Sequence, residues 1–364
     1  MKRLLCIVGG MNAGGAETFL MKVYRALDKS QYQMDFAVAI KDKGFYDDEI
    51  LSMGGKIFHI TPKSEGFLKN FFDIRRIVKE NQYGSVLRTS QHSLSAMELL
   101  AARLGGAKKM IFRSSNSNTA TENYVSLLLH RTCMFMPRYF ANVRIAPSVE
   151  AANFMYGKNS VEKGVAEIVP NGINLDYYKY DETSRQKIRE EFDLKDSFVV
   201  GHVGRFNQQK NHEFLIRVFF ELQKEKSNAR LLLIGMGELE SKIRNLCETL
   251  DICDKVIFAG IRSDLPALYS AMDVFVFPSL YEGMPNAVIE AQACGLPCVV
   301  SDLVTRDVSI CDGTTFMSLK DSYNSWIERI KLSKKDSPSL VSQCFISRGY
   351  DISQSVKRLV EKCF

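Results

Sequence analysis

The stretch from Tyr269 to Asp302, YSAMDVFVFPSLYEGMPNAVIEAQACGLPCVVSD, narrows the fold more than any other part of the chain. Its unbroken apolar run, Val274 to Phe277, reads as a strand of a parallel sheet covered on both faces. Pro278 ends the strand, and Glu282, Gly283, Met284 and Pro285 form a turn into a helix over Asn286 to Cys294. Gly295 and Pro297 stop that helix, and Cys298 to Val300 is the next strand. A turn between a strand end and a helix start is where open parallel sheets bind ligands. The amides of Met284, Asn286 and Ala287 are expected to point at an anion there. Two carboxylates frame the turn: Glu282 before it, and Glu290 eight positions on, in the helix.

The rest of the chain repeats the same unit. Arg3 to Val8 reads as a strand, followed by a glycine-rich turn and an amphipathic helix with Phe19, Leu20, Val23 and Leu27 on one face. Gly14 and Gly15 permit close backbone approach to a ligand, and Glu17 lies in the first helical turn. The dinucleotide pattern G-x-G-x-x-G is not met. Further strands are expected over Met34–Ile40, Lys56–Ile60, Ser85–Leu87 (ending at Arg88), Lys109–Phe112 (ending at Arg113), Ile145–Val149 and Ala166–Val169. Phe198–Val203 then opens a second sheet and ends in Gly204-Arg205-Phe206, with Gln209-Lys210-Asn211 leading into a helix. Arg205 and Lys210, five apart on one loop beside a helix start, suit a diphosphate. Arg230–Ile234 and Lys255–Phe258 continue the series, and a last helix spans Ile352–Cys363. Strand–helix units of this length imply parallel, doubly wound α/β sheets, and 364 residues suit two domains.

Composition closes off other classes. Nine cysteines show no paired spacing of the zinc-ribbon kind, so buried, reduced thiols in a cytoplasmic protein are expected, with no metal. The apolar run after MKR is too short for a signal peptide, and no stretch approaches eighteen apolar residues. Any membrane attachment is therefore expected to be peripheral, at the inner face of the cytoplasmic membrane. The net charge of +6 is local: Ala101 to Gly164 holds nine Lys or Arg against three acids, and nine minus three is six. Within it, Leu127 to Pro147 mixes aromatics and methionines with Arg131, Arg138 and Arg144, a face that suits an anionic membrane surface or a lipid diphosphate. No nucleic-acid recognition module occurs, so nucleic acid is not an expected partner.

Four segments together resemble the retaining GT-B glycosyltransferases of family 4, also called group 1. They are the E-x7-E segment EGMPNAVIEAQACGLPCVVSD, GRF…QK around Arg205 and Lys210, Pro170-Asn171-Gly172-Ile173, and GGAE at Gly14 to Glu17. The wording of the first is similar to the branch making capsule, exopolysaccharide or O-antigen. The resemblance implies two Rossmann-like domains facing across a cleft. Residues 1–170, completed by a C-terminal helix over about 346–364, would bind acceptor, and residues 171–345 would bind donor. It implies transfer of a hexosyl group from a nucleotide diphosphate sugar, first a UDP-sugar, to a saccharide acceptor carried on a polyprenyl diphosphate. Arg205, Lys210 and the Gly283–Ala287 turn, with Gly204, would stabilise the leaving diphosphate without metal or other cofactor, and no D-x-D motif is present. Glu282 would bind donor sugar hydroxyls, Glu290 the ribose, and the backbone near Ile261 the base. Relatives carry histidine at the ends of the fourth and fifth strands, where this chain has RSSN at the second. Arg113 stands in the place of the sugar-contacting histidine, and His92 is the nearest imidazole. Alternatives are a GDP-mannose-dependent mannosyltransferase, a nucleotide-sugar 2-epimerase, or a non-catalytic sugar-nucleotide-binding partner of a transferase.

Overall fold

Seven parallel strands form the first sheet: β1 (Lys2–Val8), β2 (Tyr32–Val38), β3 (Ile57–His59), β4 (Ser85–Ser90), β5 (Lys109–Ser114), β6 (Val143–Ala146) and β7 (Glu167–Ile168). They lie in the order β3-β2-β1-β4-β5-β6-β7. Alternation along β1 explains the layering, because Leu5 and Ile7 face one core while Leu4, Cys6 and Val8 face another. The first core is covered by the helices Phe67–Glu80, Met97–Leu104 and Val149–Tyr156, and the second by Gly15–Ala26 and Ile352–Cys363. Helices on both faces make the sheet doubly wound. The structure, a computed structural model, describes residues 1–12, 14–115, 124–282 and 284–364.

The second sheet has six parallel strands: β8 (Phe198–Val203), β9 (Ala229–Ile234), β10 (Val256–Phe258), β11 (Val274–Phe277), β12 (Cys298–Ser301) and β13 (Thr314–Met317). Their order is β10-β9-β8-β11-β12-β13, and β11 and β12, the strands around the Glu282 turn, are buried at every residue. The helix Glu182–Glu191 is stapled to this unit by charge. Arg185 and Arg189 each donate to Asp273 at 2.7 Å, and Asp273 also accepts from the Val199 amide at 2.8 Å. By contacts the chain divides into two compact units, Met1–Gly172 together with Gly349–Phe364, and Ile173–Arg348. The terminal helix is tied into the first unit through Ser355, whose hydroxyl donates to the Pro170 carbonyl at 3.1 Å, and through Lys362 on Glu167 at 2.6 Å.

One local expectation changes. The strand expected over Ile145–Val149 ends at Ala146. Ser148 accepts from the Ala151 amide at 3.2 Å and so caps a helix that begins at Val149. Beyond Asp302, where the sequence pattern thins, the chain forms β13 and the helix Pro338–Ser347, capped by Ser337 with proline at its first position. All nine cysteines are unpaired thiols, and burial raises the pKa of Cys6, Cys294 and Cys298.

Candidate active site

Open parallel sheets bind ligands beyond the carboxyl ends of the strands, where the strand order changes direction. In the second sheet that point lies between β8 and β11. Two loops flank it, Gly204–Asn211 after β8 and Pro278–Pro285 after β11, and they are bonded to each other. The Leu280 amide donates to the Gln209 carbonyl (2.8 Å), the Gln209 side chain to the Tyr281 carbonyl (2.8 Å), and the Asn211 side chain to the Pro278 carbonyl (3.2 Å).

Lys210 joins the two loops. Its Nζ donates to Glu282 Oε1 at 2.5 Å and lies 4.6 Å from the centroid of the Phe277 ring. The two side chains are only 16% and 11% exposed, so this pair is held largely out of water. The Glu282 backbone is fixed from the other side by a bridge to Val304. A Cβ at 204 would be crowded, 3.1 Å from Lys210 Cγ and 3.0 Å from His202 Nε2, so glycine lets the loop pack closely over both side chains. Arg205 shares the loop but not the environment. Its side chain is 70% exposed and donates to Glu238 at 3.1 Å, an arrangement in water that contributes little energy by itself. Gly235 reaches φ +135° where it meets the Gly204 carbonyl, and its amide donates to the Gly260 carbonyl at 2.9 Å, leaving Ile261 half-exposed at the rim.

Glu290 sits eight positions beyond Glu282, in the helix Asn286–Ala293, and is only 3% exposed. Its carboxylate accepts from Tyr269 Oη at 3.2 Å and is hydrogen-bonded by Tyr178. Both phenols are kept protonated, chiefly by burial and then by the Glu290 charge. Contact of Glu290 with a ligand would use the lone pairs these bonds leave. Pro285 leads into that helix without a side-chain cap, Met284 and Pro285 are buried, and Asn286 and Ala287 are half-buried. Gly283, expected in the same turn, lies outside the described residues.

Under the Gly204 loop lie two histidines that sequence reading missed. The rings of His202 and His212 are 4.7 Å apart, and His212 stacks on Phe206 at 4.2 Å. His202 Nδ1–H donates to the Val276 carbonyl at 2.8 Å, whereas its Nε2 and both nitrogens of His212 have no partner among the described residues. Burial holds their pKa values down to about 4 and about 2, with Lys210 opposing a further charge at both. As pH falls below the imidazole's ordinary range, the unfolded chain therefore takes up protons that the folded one refuses. Stability present above about pH 6.5 is lost towards pH 4, at about 1.4 kcal/mol per pH unit for each ring. Unfolding followed in urea should show a loss of about 3 kcal/mol between about pH 7.5 and 5.5, and His212→Leu should remove about half of that slope. An unchanged slope in His212→Leu would show that the ring plays no part.

In the first sheet the order changes direction between β1 and β4. Gly14 precedes the helix Gly15–Ala26, and a Cβ at 14 would collide with Glu17 Oε2, so the carboxyl folds back over the loop. Gly15 is exposed at the helix start. Burial raises the Glu17 pKa, while Arg88 and Arg113 pull it down. Arg113, at the end of β5, is 1% exposed. It donates from Nη2 to Asn171 Oδ1 at 2.5 Å and lies 3.9 Å over the Phe19 ring. Burial lowers its pKa to about 10. It is thus a core cation joining β5, the first helix and the Pro170–Ile173 turn. His92 is occupied as well: Nδ1 accepts from the Leu94 amide at 3.2 Å, and Nε2 bonds the Ser126 carbonyl at 3.1 Å.

The three arginines expected on a membrane-facing surface divide. Arg131 and Arg138 are exposed on the helices Tyr124–Thr132 and Phe135–Phe140. Arg144 corrects the expectation, because it is committed to backbone carbonyls: Nε to Val165 at 2.6 Å, and Nη1 to Ala141 at 2.7 Å and Arg138 at 3.3 Å. A guanidinium used to close a helix end and a loop is not available to a lipid headgroup.

Residues 184–343 match the family described as glycosyl transferases group 1. A protein named as a glycosyltransferase, EpsF of Bacillus subtilis, is 32% identical over 99% of this chain and 95% of its own length. The UDP-Gal:alpha-D-GlcNAc-diphosphoundecaprenol alpha-1,3-galactosyltransferase of Escherichia coli is 25% identical over 65% of this chain and 62% of its own. In structure, Anabaena HepE crystallised with UDP-glucose superimposes with a TM-score of 0.78 over 99% of both chains at 18% identity, which supports the GT-B fold. With the EpsF match running the length of both chains and the family match covering the loops that Lys210 and Glu282 join, this chain belongs to the group 1 glycosyltransferases.

Proposed function

We propose that this enzyme moves a hexosyl group, with retention at the anomeric carbon, from a UDP-sugar to a hydroxyl of a saccharide carried on a polyprenyl diphosphate. The setting is the assembly of a bacterial surface polysaccharide. The observation that carries the reading is the Lys210–Glu282 pair at the switch point of the second sheet, 2.5 Å apart and mostly desolvated. In the reaction the bond from the anomeric carbon to the diphosphate breaks, and the acceptor oxygen bonds that carbon on the same face. The acceptor's proton passes to the departing phosphate oxygen, and no enzyme nucleophile is used. Charge grows on the diphosphate as it leaves. Lys210 and Arg205 oppose that charge, together with the turn from Gly283 to Ala287 and the close-packed backbone at Gly204. The reading is metal-independent, because Lys210, Arg205 and a helix start do the work of a divalent ion. Glu282 turns from Lys210 to the sugar hydroxyls when the diphosphate takes the lysine. Glu290 meets the ribose, its orientation set by Tyr178 and Tyr269, and the backbone at Ile261 meets the base. Gly14 and Gly15 give the donor sugar close backbone approach, and Glu17 serves the acceptor side.

UDP-glucose in HepE and a diphosphoundecaprenol acceptor in the Escherichia coli relative support the donor and acceptor classes. The decisive experiment is a panel of labelled UDP-glucose, UDP-galactose, their N-acetyl forms and GDP-mannose, incubated with the protein with and without chelator. Slow hydrolysis or transfer from a UDP-sugar, unaffected by chelator, is expected. A 2-epimer product, binding without turnover, turnover only from GDP-mannose, or loss on chelation would each overturn part of the reading.

A further inference from the structure

The outer helices of the first unit carry more apolar surface than a solvated layer needs. Of the twenty-two large hydrophobic side chains exposed among the described residues, ten fall between Phe67 and Tyr139. That span holds 73 of 364 residues, about a fifth of the chain, yet nearly half of the exposures. Scattered exposed leucines need no explanation, but a cluster does.

The cluster is ordered by helical geometry. In Phe67–Glu80, Asn70, Ile74, Ile77 and Val78 are buried. At 100° per residue, Leu68, Phe72, Arg75, Arg76 and Lys79 fall within about a third of the circumference on the opposite side. Leu68 is 70% exposed and Phe72 55%. In Tyr124–Thr132 only His130 is buried, and Tyr124, Val125, Leu128 and Arg131 are exposed. In Phe135–Phe140, Pro137 is buried while Phe135, Arg138 and Tyr139 are exposed. The first and third of these helices pack on one sheet face, the core that contains Leu5, Ile7 and Phe112. Both therefore turn their outer sides away from the same sheet face, and the helix Tyr124–Thr132 joins them through the turn at Ser93, whose hydroxyl donates to the His130 carbonyl at 2.7 Å. Leu104 belongs to this layer too, half-exposed and held by Arg75 Nε on its carbonyl at 3.4 Å.

We propose that this layer is a docking face for an anionic lipid bilayer. Leu68, Phe72, Leu128, Phe135 and Tyr139 would enter the headgroup boundary, and Arg131, Arg138 and Lys79 would meet lipid phosphates. Aromatic and aliphatic side chains interleaved with cations on short amphipathic helices are the chemistry of an interfacial helix. The exposed cations of these helices, Arg75, Arg76, Lys79, Arg131 and Arg138, select an anionic surface over a neutral one. Among the described residues no helix is long and apolar enough to cross a membrane, so the contact is one of lying on it. The proposal deepens the lipid-linked acceptor reading and rests on it for its purpose: the face brings the acceptor-binding unit to the surface where such an acceptor sits. It also replaces the face expected from sequence, dropping Arg144 and adding a helix, Phe67–Glu80, which composition did not single out.

The test is sedimentation with vesicles of phosphatidylcholine, with and without about one-third phosphatidylglycerol, at about 50 and about 500 mM salt. Binding to the anionic vesicles at low salt, and its loss at high salt, are expected. Arg131→Ser with Arg138→Ser should weaken it roughly thirtyfold, at about fivefold per arginine. Phe72→Ser with Tyr139→Ser should weaken it at least about tenfold. Hydrolysis of a UDP-sugar in vesicle-free buffer should stay within about twofold of the parent in both doubles, which also reports that they fold. No vesicle binding by the parent protein, or binding indifferent to both doubles, overturns the proposal. So does a dimer in light scattering that the doubles dissociate, because the face would then join two copies of this chain. If vesicles bind as expected while no donor is turned over, the docking face stands and the transferase reading of the second unit fails.

Discussion

Replacing Lys210 with alanine lowers turnover by at least about tenfold in protein that still folds. The lysine makes one charge-assisted contact to the departing diphosphate, worth on the order of 1.5–3 kcal/mol, and each 1.36 kcal/mol is a factor of ten in rate. Glu282→Ala has a comparable effect on turnover, through loss of the sugar contact and of the group that holds Lys210 between strands. The two singles differ from the double in stability. Each alone strands an ion that is less than one-fifth exposed, whereas removing both leaves no orphan charge. The double should therefore be less destabilised than the sum of the singles, by about 1 kcal/mol in a urea titration. Parental turnover in folded Lys210→Ala would end the assignment of this pair to catalysis. Simple additivity of the stabilities would show that the contact seen here contributes nothing.

Arg113→Ala costs the first unit about 3 kcal/mol or more and depresses turnover with it. Truncation opens a cavity beneath Phe19 and removes one hydrogen bond from the Asn171 side chain. Arg113→Met should restore much of the stability, because a buried cation is itself costly and methionine fills the volume. It should not restore the setting of Glu17, whose carboxyl is raised by burial and held down by a backbone hydrogen bond and by the charges of Arg88 and Arg113. Glu17 would then titrate higher, and the acid limb of the pH–rate profile should move to higher pH in Arg113→Met. An alanine variant as stable as the parent, or a methionine variant with an unmoved profile, would remove Arg113 from this role. The side chain is 1% exposed and is held by Asn171 and the Phe19 ring.

The sequence was most legible where local rules agree. β11, the Glu282 turn and the helix at Asn286 were readable because Pro278, Gly283 and Pro285 punctuate an apolar run, and the structure keeps each boundary to within a residue. Ile145–Val149 misled because an apolar pattern outweighed Pro147 and Ser148, whose cap decided the matter. Ser337-Pro338 carried the same kind of helix signal near the end of the chain. Contacts across the unit had no local signature. Lys210 and Glu282 are 72 positions apart, and nothing near Tyr178 announces that its hydroxyl reaches Glu290. Charge counting found the basic region but could not tell Arg131, in water, from Arg144, spent on three carbonyls.

The return of Ile352–Cys363 to the first unit has a consequence for biosynthesis. All seven strands of that unit have left the ribosome by Ile168, yet Ile352, Leu359 and Cys363 of its second core are translated some 184 residues later. Until they arrive, the helix Gly15–Ala26 keeps part of its apolar side uncovered, and a nascent chain must shelter it, through a chaperone or transient burial. A stop codon shortly before Asp351 would spare every side chain around Lys210 and still be expected to yield aggregate.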